Sequence, residues 1–204
     1  MMEQTKQYEY VDLGLPSGLK WAKCNVGAET ETDYGYYFQW GDAVNKSNSD
    51  CNWANYKYGD GSNFSKYNPL LNGYSGTIDG KATLDLDDDA AAQIMGGDWR
   101  MPTRDEIQEL IDNTDSEWVE DFNGSGINGG KFTSKVNGNS IFIPASGHRS
   151  VSSFYGQGRY GYVWSSSLYA VGPDYAWDLY FSSGNAIAGS LSRSFGFVAR
   201  GVMK

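Results

Sequence analysis

Hydrophobic and polar positions alternate with a period of two through most of the second half of the chain. The runs KFTSKV and SIFIPA are joined by NGN, which is the pattern of a β-hairpin. The runs YVWSSS, YAWDLYF, NAIAGS and FGFVAR follow, parted by Gly and Ser, and each predicts a short strand. In the first half, aromatic and β-branched runs are interrupted by Gly, Asn, Asp and Pro every few residues, a pattern typical of short strands joined by long loops.

Two helical patterns lie between these halves. The segment AAAQIM follows a run of aspartates and precedes Gly96, so acidic residues, helix formers and a glycine stop occur in the order expected of a short helix. In MPTRDEIQELID, Thr103 and Glu106 have the spacing of a capping box, and the apolar positions fall on one helical face. The sequence therefore predicts two helices, near residues 87–95 and 103–112.

Together these patterns predict an α+β fold, in which two helices pack on short antiparallel sheets with long loops. The chain has 204 residues, of which 40% are hydrophobic and 20% charged. These values are typical of a folded globular protein. We therefore expect one domain that spans residues 1–204.

The charge balance restricts the classes of partner. The formal net charge is −9 and the 16 Lys and Arg residues form no run, so we expect no nucleic-acid partner. No stretch approaches the roughly eighteen apolar residues that a membrane span needs. The first ten residues contain no apolar signal core. We therefore expect no direct membrane insertion and no export signal within this sequence.

Three local patterns resemble chemical sites, but each lacks a required part. GSGING, at residues 124–129, has the glycine spacing of a dinucleotide loop, but no helix follows it to bind a pyrophosphate. DLDDDA, at residues 85–90, begins like a calcium loop, but Ala90 and Gly96 occupy the positions that require Gly and Glu. The single histidine, His148, has no nucleophile elbow to serve, and we expect it on the surface or in a loop. We therefore predict no catalytic residue, no metal site and no cofactor.

The two cysteines, Cys24 and Cys51, are too few for a disulfide scaffold. Neither has a second Cys or a His nearby at metal-ligand spacing. The sequence allows one bridge or two reduced thiols, with reduced thiols as the default.

Residues 165–200 use a restricted set of amino acids. This segment contains no Lys, Glu, Gln or Met, although all four occur in residues 1–164. Burial in strands explains a shortage of long polar side chains. It does not explain why Ser, Gly and Asn, which are poor strand-core residues, lie beside Tyr, Trp and Phe. Burial alone therefore does not account for the segment.

Five fragments of the sequence, taken in order, resemble one protein family. They are YVDLGLPSGLKWAKCNVGA, YGYYFQWGD, GGDWRMPTRDEIQELI, NGNSIFIPASGHR and the terminal pattern WSSS, A, L, F, R, G, R. Together they resemble the C-type lectin-like domains of gut Bacteroidetes and their phages. The resemblance implies the C-type lectin-like fold, with the two chain ends close together. The sequence lacks the EPN-like, QPD-like and WND-like motifs of calcium-dependent lectins, so calcium-dependent glycan binding is not expected.

The terminal pattern is also similar to the variable segment of proteins that diversity-generating retroelements alter. In those systems, reverse transcription makes errors at adenines, and codons of the AAC type cannot then yield Lys, Glu, Gln, Met or Trp. Residues 165–200 fit this rule except at Trp177. The resemblance therefore implies that residues 163–200 are a variable ligand-binding segment, in which framework residues alternate with exposed residues.

Match to the family pattern divides this segment into two groups. The implied framework residues are Trp164, Ser165, Ser166, Ala176, Leu179, Phe181, Gly184, Arg193, Gly196 and Arg200. The implied ligand-binding residues are Tyr169, Asp174, Tyr175, Trp177, Asp178, Tyr180, Ser182, Asn185, Ile187, Ser190, Ser192, Ser194, Phe195 and Phe197. One exposed, contiguous patch is expected to hold four of the aromatic members, Tyr169, Tyr175, Tyr180 and Phe195.

The resemblance implies a non-enzymatic recognition domain that binds a protein or other macromolecular ligand and is displayed on a cell surface or phage particle. The alternative is a structural or adhesin subunit of a pilus or fibre, in which the same surface packs against a neighbour. Formylglycine-generating enzymes also resemble this fold. Their chemistry uses reactive cysteines late in the chain, and residues 52–204 contain none, so an enzyme of that type is disfavoured.

Overall fold

A five-stranded sheet lies at the centre of the fold. The computed structural model describes residues 7–69, 73–151 and 153–204. All neighbouring strands of this sheet run antiparallel except β11 (Gly161–Leu168) and β14 (Phe197–Val198), which pair in parallel through Val163 and Val198. In spatial order, its strands are β13 (Ala186–Ser192), β12 (Tyr175–Phe181), β11 (Gly161–Leu168), β14 (Phe197–Val198) and β3 (Tyr37–Phe38).

Four smaller sheets surround the central one among the described residues. Only the β4–β5 pair is parallel within them. The α+β class with short antiparallel sheets is therefore confirmed, and the two parallel pairings are features that the sequence did not predict. The strands are β1 (Tyr10–Asp12), β2 (Lys20–Ala22) and β15 (Val202–Met203); β6 (Thr114–Val119), β7 (Gly129–Ser134) and β8 (Ser140–Pro144); β9 (His148–Ser150) and β10 (Ser153–Tyr155); and β4 (Asn63–Phe64) and β5 (Ser75–Gly76).

The first and last strands lie in the same small sheet. Strand β2 is the middle strand of the three, and its Trp21 is paired with Val11 on one side and Val202 on the other. Trp21 and Val202 are fully buried. The close approach of the two ends of the fold is therefore confirmed, and it is held by backbone pairing and by buried apolar side chains.

The two predicted helices are present, with one change at the first. Helix α1 (Ala90–Met95) begins later than predicted, and a 3₁₀ turn, Leu86–Asp88, precedes it. The helix begins at Ala90 because the Asp89 side chain caps it by accepting from the backbone N–H groups of Ala91 and Ala92. Helix α1 ends at Gly96, whose φ of 70° is readily adopted by glycine.

Helix α2 (Arg104–Asn113) begins with the predicted capping box. The Glu106 N–H donates to the Thr103 hydroxyl at 3.3 Å, and the Thr103 N–H donates to the Glu106 carboxylate at 2.8 Å. The same carboxylate accepts two hydrogen bonds from the Arg100 guanidinium, at 2.6 and 2.7 Å. The cap is thus tied to the loop that precedes the helix.

No helix of the described chain is long and apolar enough to cross a bilayer.

The central sheet is covered differently on its two faces. Leu179 and Phe181 point into a core that includes Ile107 and Leu110 of α2. Trp164 belongs to a second core, which also contains α1 residues and the long loops of the first half of the chain. Successive strand residues point to opposite faces, so β12 contributes to both cores.

Replacing Thr103 by Ala should lower the free energy of unfolding by about 1 kcal/mol, because one N–H at the helix start loses its acceptor. Urea denaturation of the two proteins measures the difference. Thr103→Ser keeps the hydroxyl and should stay close to the parent value. If Thr103→Ala and Thr103→Ser unfold at the same urea concentration, the hydroxyl does not stabilise the helix.

Candidate functional site

The central sheet contains just over half of the segment 163–200, and the rest of the segment forms the connections between its strands. Most of β11 and the whole of β12, β13 and β14 belong to it. Antiparallel pairing sets Leu179 of β12 between Val163 of β11 and Ala188 of β13. The residues on either side of Leu179 along β12 therefore point to the opposite face of the sheet.

Most framework residues are buried, and they pack into the cores on both faces of the sheet. The indole of Trp164 stacks on Phe197 with 3.9 Å between ring centroids, and its N–H donates to the Phe38 carbonyl at 2.8 Å. Ala176, Leu179 and the other framework side chains are likewise buried, except at Gly184, which is exposed in the turn between β12 and β13. The framework residues therefore anchor β11, β12 and the ends of the segment, whereas β13 contains no framework residue and no buried one.

Two buried arginines fix the end of the segment. The Arg193 guanidinium lies over the rings of Phe64, Tyr56 and Trp40, at 4.3, 5.1 and 5.4 Å, and donates to the Tyr67 carbonyl at 2.8 Å. Burial lowers the pKa of Arg193 from its ordinary value. Its hydrogen bonds and ring contacts connect the segment to the long loop of residues 52–68.

Arg200 makes a comparable anchor to the other side of the fold. Its guanidinium donates to the Asn25 side chain at 2.9 Å and to the carbonyls of Lys23 and Phe142 at 3.1 and 3.0 Å. Burial lowers the pKa of Arg200 to about 10. The guanidinium is therefore still charged at neutral pH, and carbonyl and amide oxygens stabilise that charge.

Eleven of the fourteen candidate ligand-binding residues are at least partly accessible. Tyr175 and Ile187 are exposed at 39% and 46%, and Asn185 is also exposed. The side chains at intermediate exposure are Tyr169, Asp174, Trp177, Tyr180, Ser182, Ser190, Ser192 and Phe195.

The exposure expected of Asp178, Ser194 and Phe197 is wrong. Phe197 is fully buried because it stacks on Trp164. Ser194 is buried because its carbonyl accepts from the Gln39 side chain at 2.9 Å and its hydroxyl lies 2.9 Å from that of Ser192. Asp178 is only 1% exposed, since β12 turns it to the same face as Ala176.

The four aromatic residues expected in one patch are divided between the two faces of the sheet. Tyr175 and Tyr180 are five positions apart on β12, so the strand points them to opposite faces. The rings of His148 and Tyr162 connect Phe195 to Tyr180. The ring of Tyr169 contacts that of Trp177 instead. The expectation of one contiguous patch is therefore wrong.

One group of aromatic residues, which we call the tyrosine cluster, surrounds the single histidine. His148 was expected on the surface or in a loop, but it is a half-buried strand residue in β9. Its ring stacks between Tyr155 and Phe195, at 5.3 and 5.2 Å, and burial lowers its pKa. His148 is therefore neutral at pH 7. The tyrosine cluster consists of His148, Tyr155, Tyr160, Tyr162, Tyr180 and Phe195, joined by ring contacts of 5.1 to 6.1 Å.

The second group, which we call the tryptophan group, lies at the start of α2. The Trp177 ring contacts the Tyr169 ring at 5.1 Å and the Arg104 guanidinium at 5.1 Å. The adjoining loop is held by a hydrogen bond from the Tyr74 hydroxyl to the Asp174 carboxylate. The tryptophan group consists of Arg104, Tyr169 and Trp177.

Four members of the tyrosine cluster were not among the candidates. His148, Tyr155, Tyr160 and Tyr162 lie outside the positions that the family pattern marks as variable. Tyr155 and Tyr160 are 51% and 40% exposed. The pairing of β9 with β10 and of β11 with β12, together with the bridge between Arg149 and Gly196, brings these residues beside Tyr180 and Phe195. Their aromatic character is visible in the sequence, but nothing local to them indicates this neighbourhood.

Asp178 has an unusual electrostatic environment. Both carboxylate oxygens are buried and neither has a hydrogen-bond partner. Burial alone raises the pKa of Asp178 to about 8. The carboxyl group is therefore mostly protonated at neutral pH, and an unpaired negative charge at this place would be costly.

The cysteines and acidic groups form no metal-binding cluster within the described residues. Cys24 and Cys51 are both free, and burial raises the pKa of both thiols, to about 11 for Cys51. Neither is a thiolate at neutral pH. In the described part of the chain, no three His, Cys, Asp or Glu side chains come together as a metal site.

The larger cavities lie outside the segment. One, of about 480 Å³, is lined by residues that include Lys23 and Cys24, and another, of about 540 Å³, by residues that include Tyr34 and Arg149. A cavity of about 90 Å³ beside the β12–β13 turn has room for only a few water molecules. The accessible residues of the segment therefore offer faces and turns for contact with a ligand.

Comparison with known families identifies the fold. The model of the Lcl C-terminal domain matches residues 14–202, which is nearly the whole chain. The chain belongs to the Lcl C-terminal domain family. This Lcl domain has the C-type lectin-like fold, and its family consists of lectin-like binding domains and is not a known family of enzymes. No curated protein and no solved structure matches the chain.

The Lcl domain should lose much more stability from a framework change than from changes at its exposed positions. Trp164→Ala should cost about 3 to 5 kcal/mol, because it removes a buried indole and its hydrogen bond. Tyr175→Ser and Ile187→Ser together should cost about 1 kcal/mol, since both residues are exposed and neither belongs to a core. Thermal melts compare the variants. A loss in the double variant as large as that of Trp164→Ala would place these residues in the core.

Stability should also fall as the pH rises through the titration of Asp178. The pKa in the folded state is about 8, against an ordinary value of 3.8, so between these values the folded chain holds a proton that the unfolded chain has lost. Unfolding then becomes easier with increasing pH. Asp178→Asn should remove this contribution and stabilise the domain most at the alkaline end of the range. Urea midpoints of both proteins across the range measure the effect, and parallel curves would contradict it.

Proposed function

We propose that this Lcl domain is a non-enzymatic recognition module, and that its ligand contacts residues of the segment 163–200 that a retroelement diversifies. One observation carries the proposal. On the same strands, buried framework residues such as Leu179 and Phe181 alternate with accessible residues such as Tyr180. Accessible positions can therefore change while the strands keep their anchors.

The chemistry of the accessible positions supports a binding role. Tyrosine provides a large, rigid contact area that also forms hydrogen bonds, and serine and asparagine provide adaptable polar contacts. These are the residue types at Tyr175, Tyr180, Asn185 and Ser190. The absence of Lys, Glu, Gln and Met from residues 165–200 supports diversification by adenine-directed errors, under the codon rule given above.

The ligand that fits this surface best is a protein or another macromolecule. The accessible residues are distributed over two sheet faces and a turn, and the small cavity beside that turn excludes all but a few water molecules. A surface of this shape makes many shallow contacts, as in antibody paratopes. We propose display on a cell surface or a phage particle, where such a module would meet its ligand.

Sequencing the DNA around the gene tests the diversification directly. We expect a nearby near-copy of the coding sequence for residues 163–200 that differs mainly at adenines, together with a reverse transcriptase gene. The Trp177 codon should be the same in both copies, because tryptophan lies outside the set that such codons reach. A locus with neither the near-copy nor the reverse transcriptase would remove diversification from the proposal.

A pair of displayed libraries tests the division of the segment. Randomising the accessible positions should leave most clones folded, as measured by protease resistance. A matched library at five buried framework positions should leave few clones folded, because each change makes a cavity or buries an unpaired polar group. Equal survival in the two libraries would contradict the division. The first library covers Tyr169, Tyr175, Tyr180, Asn185 and Ile187, and the second covers Trp164, Ala176, Leu179, Phe181 and Arg193.

Light scattering tests the oligomeric alternative. The proposed module should present its accessible residues to solvent without assembling through them. An ordered oligomer that is disrupted by changes at Tyr175 or Ile187 would favour a structural subunit of a pilus or fibre instead.

A further inference from the structure

The carboxylate of Asp178 is a buried acidic group without a partner inside the described chain. Its side chain is 1% exposed, and neither oxygen accepts a hydrogen bond. The two cations of the segment do not reach it. Arg193 bonds to the Tyr67 carbonyl, and Arg200 bonds to Asn25 and nearby carbonyls. A buried polar group that stays unsatisfied is destabilising, and such groups are found more often where a ligand or a reaction uses them.

A gap in the next strand lies beside this carboxylate. Gly189 is paired with Asp178 across β12 and β13. A side chain at Gly189 would start 3.2 and 3.6 Å from the two carboxylate oxygens of Asp178. Gly189 itself is only half-buried. The oxygens therefore stand next to a position where the sheet has no side chain and where solvent is near.

Aromatic rings border the same place. Tyr180 follows Asp178 on the same face of β12, and its ring centroid is 5.3 Å from that of Tyr162. On the neighbouring strand, Tyr162 pairs with Tyr180 and lies diagonal to Asp178 on the same face of the sheet. Burial is the main cause that raises the pKa of Tyr162 to about 12, and the charges of Tyr180 and Asp178 act in the same direction. The faces of tyrosine rings attract cations, and the attraction grows when water is excluded.

We infer that Asp178, Tyr162 and Tyr180 form a binding site for a cationic side chain of a protein ligand, an ammonium or guanidinium group that enters over Gly189. Asp178 supplies the counter-charge, and the two tyrosine rings supply the walls. The inference rests on the proposed recognition function and names the chemistry that one part of the ligand must have. The net charge of −9 favours the approach of a cationic partner.

The titratable groups around the site are few. They are the phenols of Tyr162 and Tyr180 and, on the far side of Tyr162, the imidazole of His148, which burial keeps neutral. Strand β13 contributes no titratable group where Gly189 pairs with Asp178. A bound cation would favour the charged form of Asp178, and none of these neighbours carries a charge at neutral pH that would oppose this effect.

Titration with n-butylammonium, which reproduces the end of a lysine side chain, tests the site. The readout is the tyrosine ring signals in NMR spectra of the whole chain at mildly alkaline pH. The parent protein should show saturable shifts at Tyr162 and Tyr180. Asp178→Asn should bind about tenfold more weakly or worse, which corresponds to the loss of one favourable charge contact of about 1.4 kcal/mol. The neutral analogue n-butanol should not produce the saturable shifts.

Two further variants make the test specific. Gly189→Ala keeps every charge but fills the entry, and it should also weaken binding. Asp98→Asn removes one negative charge from an exposed loop after α1, and it should bind like the parent. Equal affinity in the parent and Asp178→Asn, or equal shifts with n-butanol, would overturn the inference. Those results would leave the recognition function standing, since the DNA near-copy and the two libraries test that function separately.

Discussion

The enclosure of the Arg193 guanidinium is the contact on which the segment 163–200 depends most. Three aromatic rings and the backbone carbonyls of Lys66 and Tyr67 replace the water around this cation, and all of them come from parts of the chain far away in sequence. Removing the guanidinium would leave a cavity among Trp40, Tyr56 and Phe64 and an unpaired carbonyl at Tyr67. The long loop and the last strands would then lose their shared anchor, although each keeps its local hydrogen bonds.

A second buried charge, the Asp88 carboxylate, orders the loop of residues 52–68, which contains Tyr56 and Phe64. Asp88 is buried, which by itself would raise its pKa, but hydrogen bonds from Lys66, Tyr58, Tyr67 and Lys57 outweigh burial and hold that pKa well below its ordinary value. Tyr67 is common to both centres, because its hydroxyl donates to Asp88 and its carbonyl accepts from Arg193. The loop is thus fixed by buried charges in a region that has little regular secondary structure.

Local signals predicted the helices well, and nonlocal pairing limited the prediction of the site. The Thr103 and Glu106 cap and the Gly96 stop were correct because each depends on neighbours within a few residues. The alternation in β12 was also visible. The sequence could not show that one face of β12 is covered at Asp178 and open at Tyr180, because loops and strands distant in sequence provide that cover. The same limit explains the burial of Phe197 and the placement of His148 among aromatic rings.

The alternation in β12 restricts how this segment can be altered. Because successive side chains point to opposite faces, deleting or adding one residue within β12 would turn Leu179 or Phe181 away from the core that they share with α2. Exchanging one amino acid for another leaves the orientation of every neighbour unchanged. A process that generates variety here must therefore conserve the residue count of each strand, and copying errors that keep the reading frame and length meet that condition. Recombination between segments of unequal length would break the sheet.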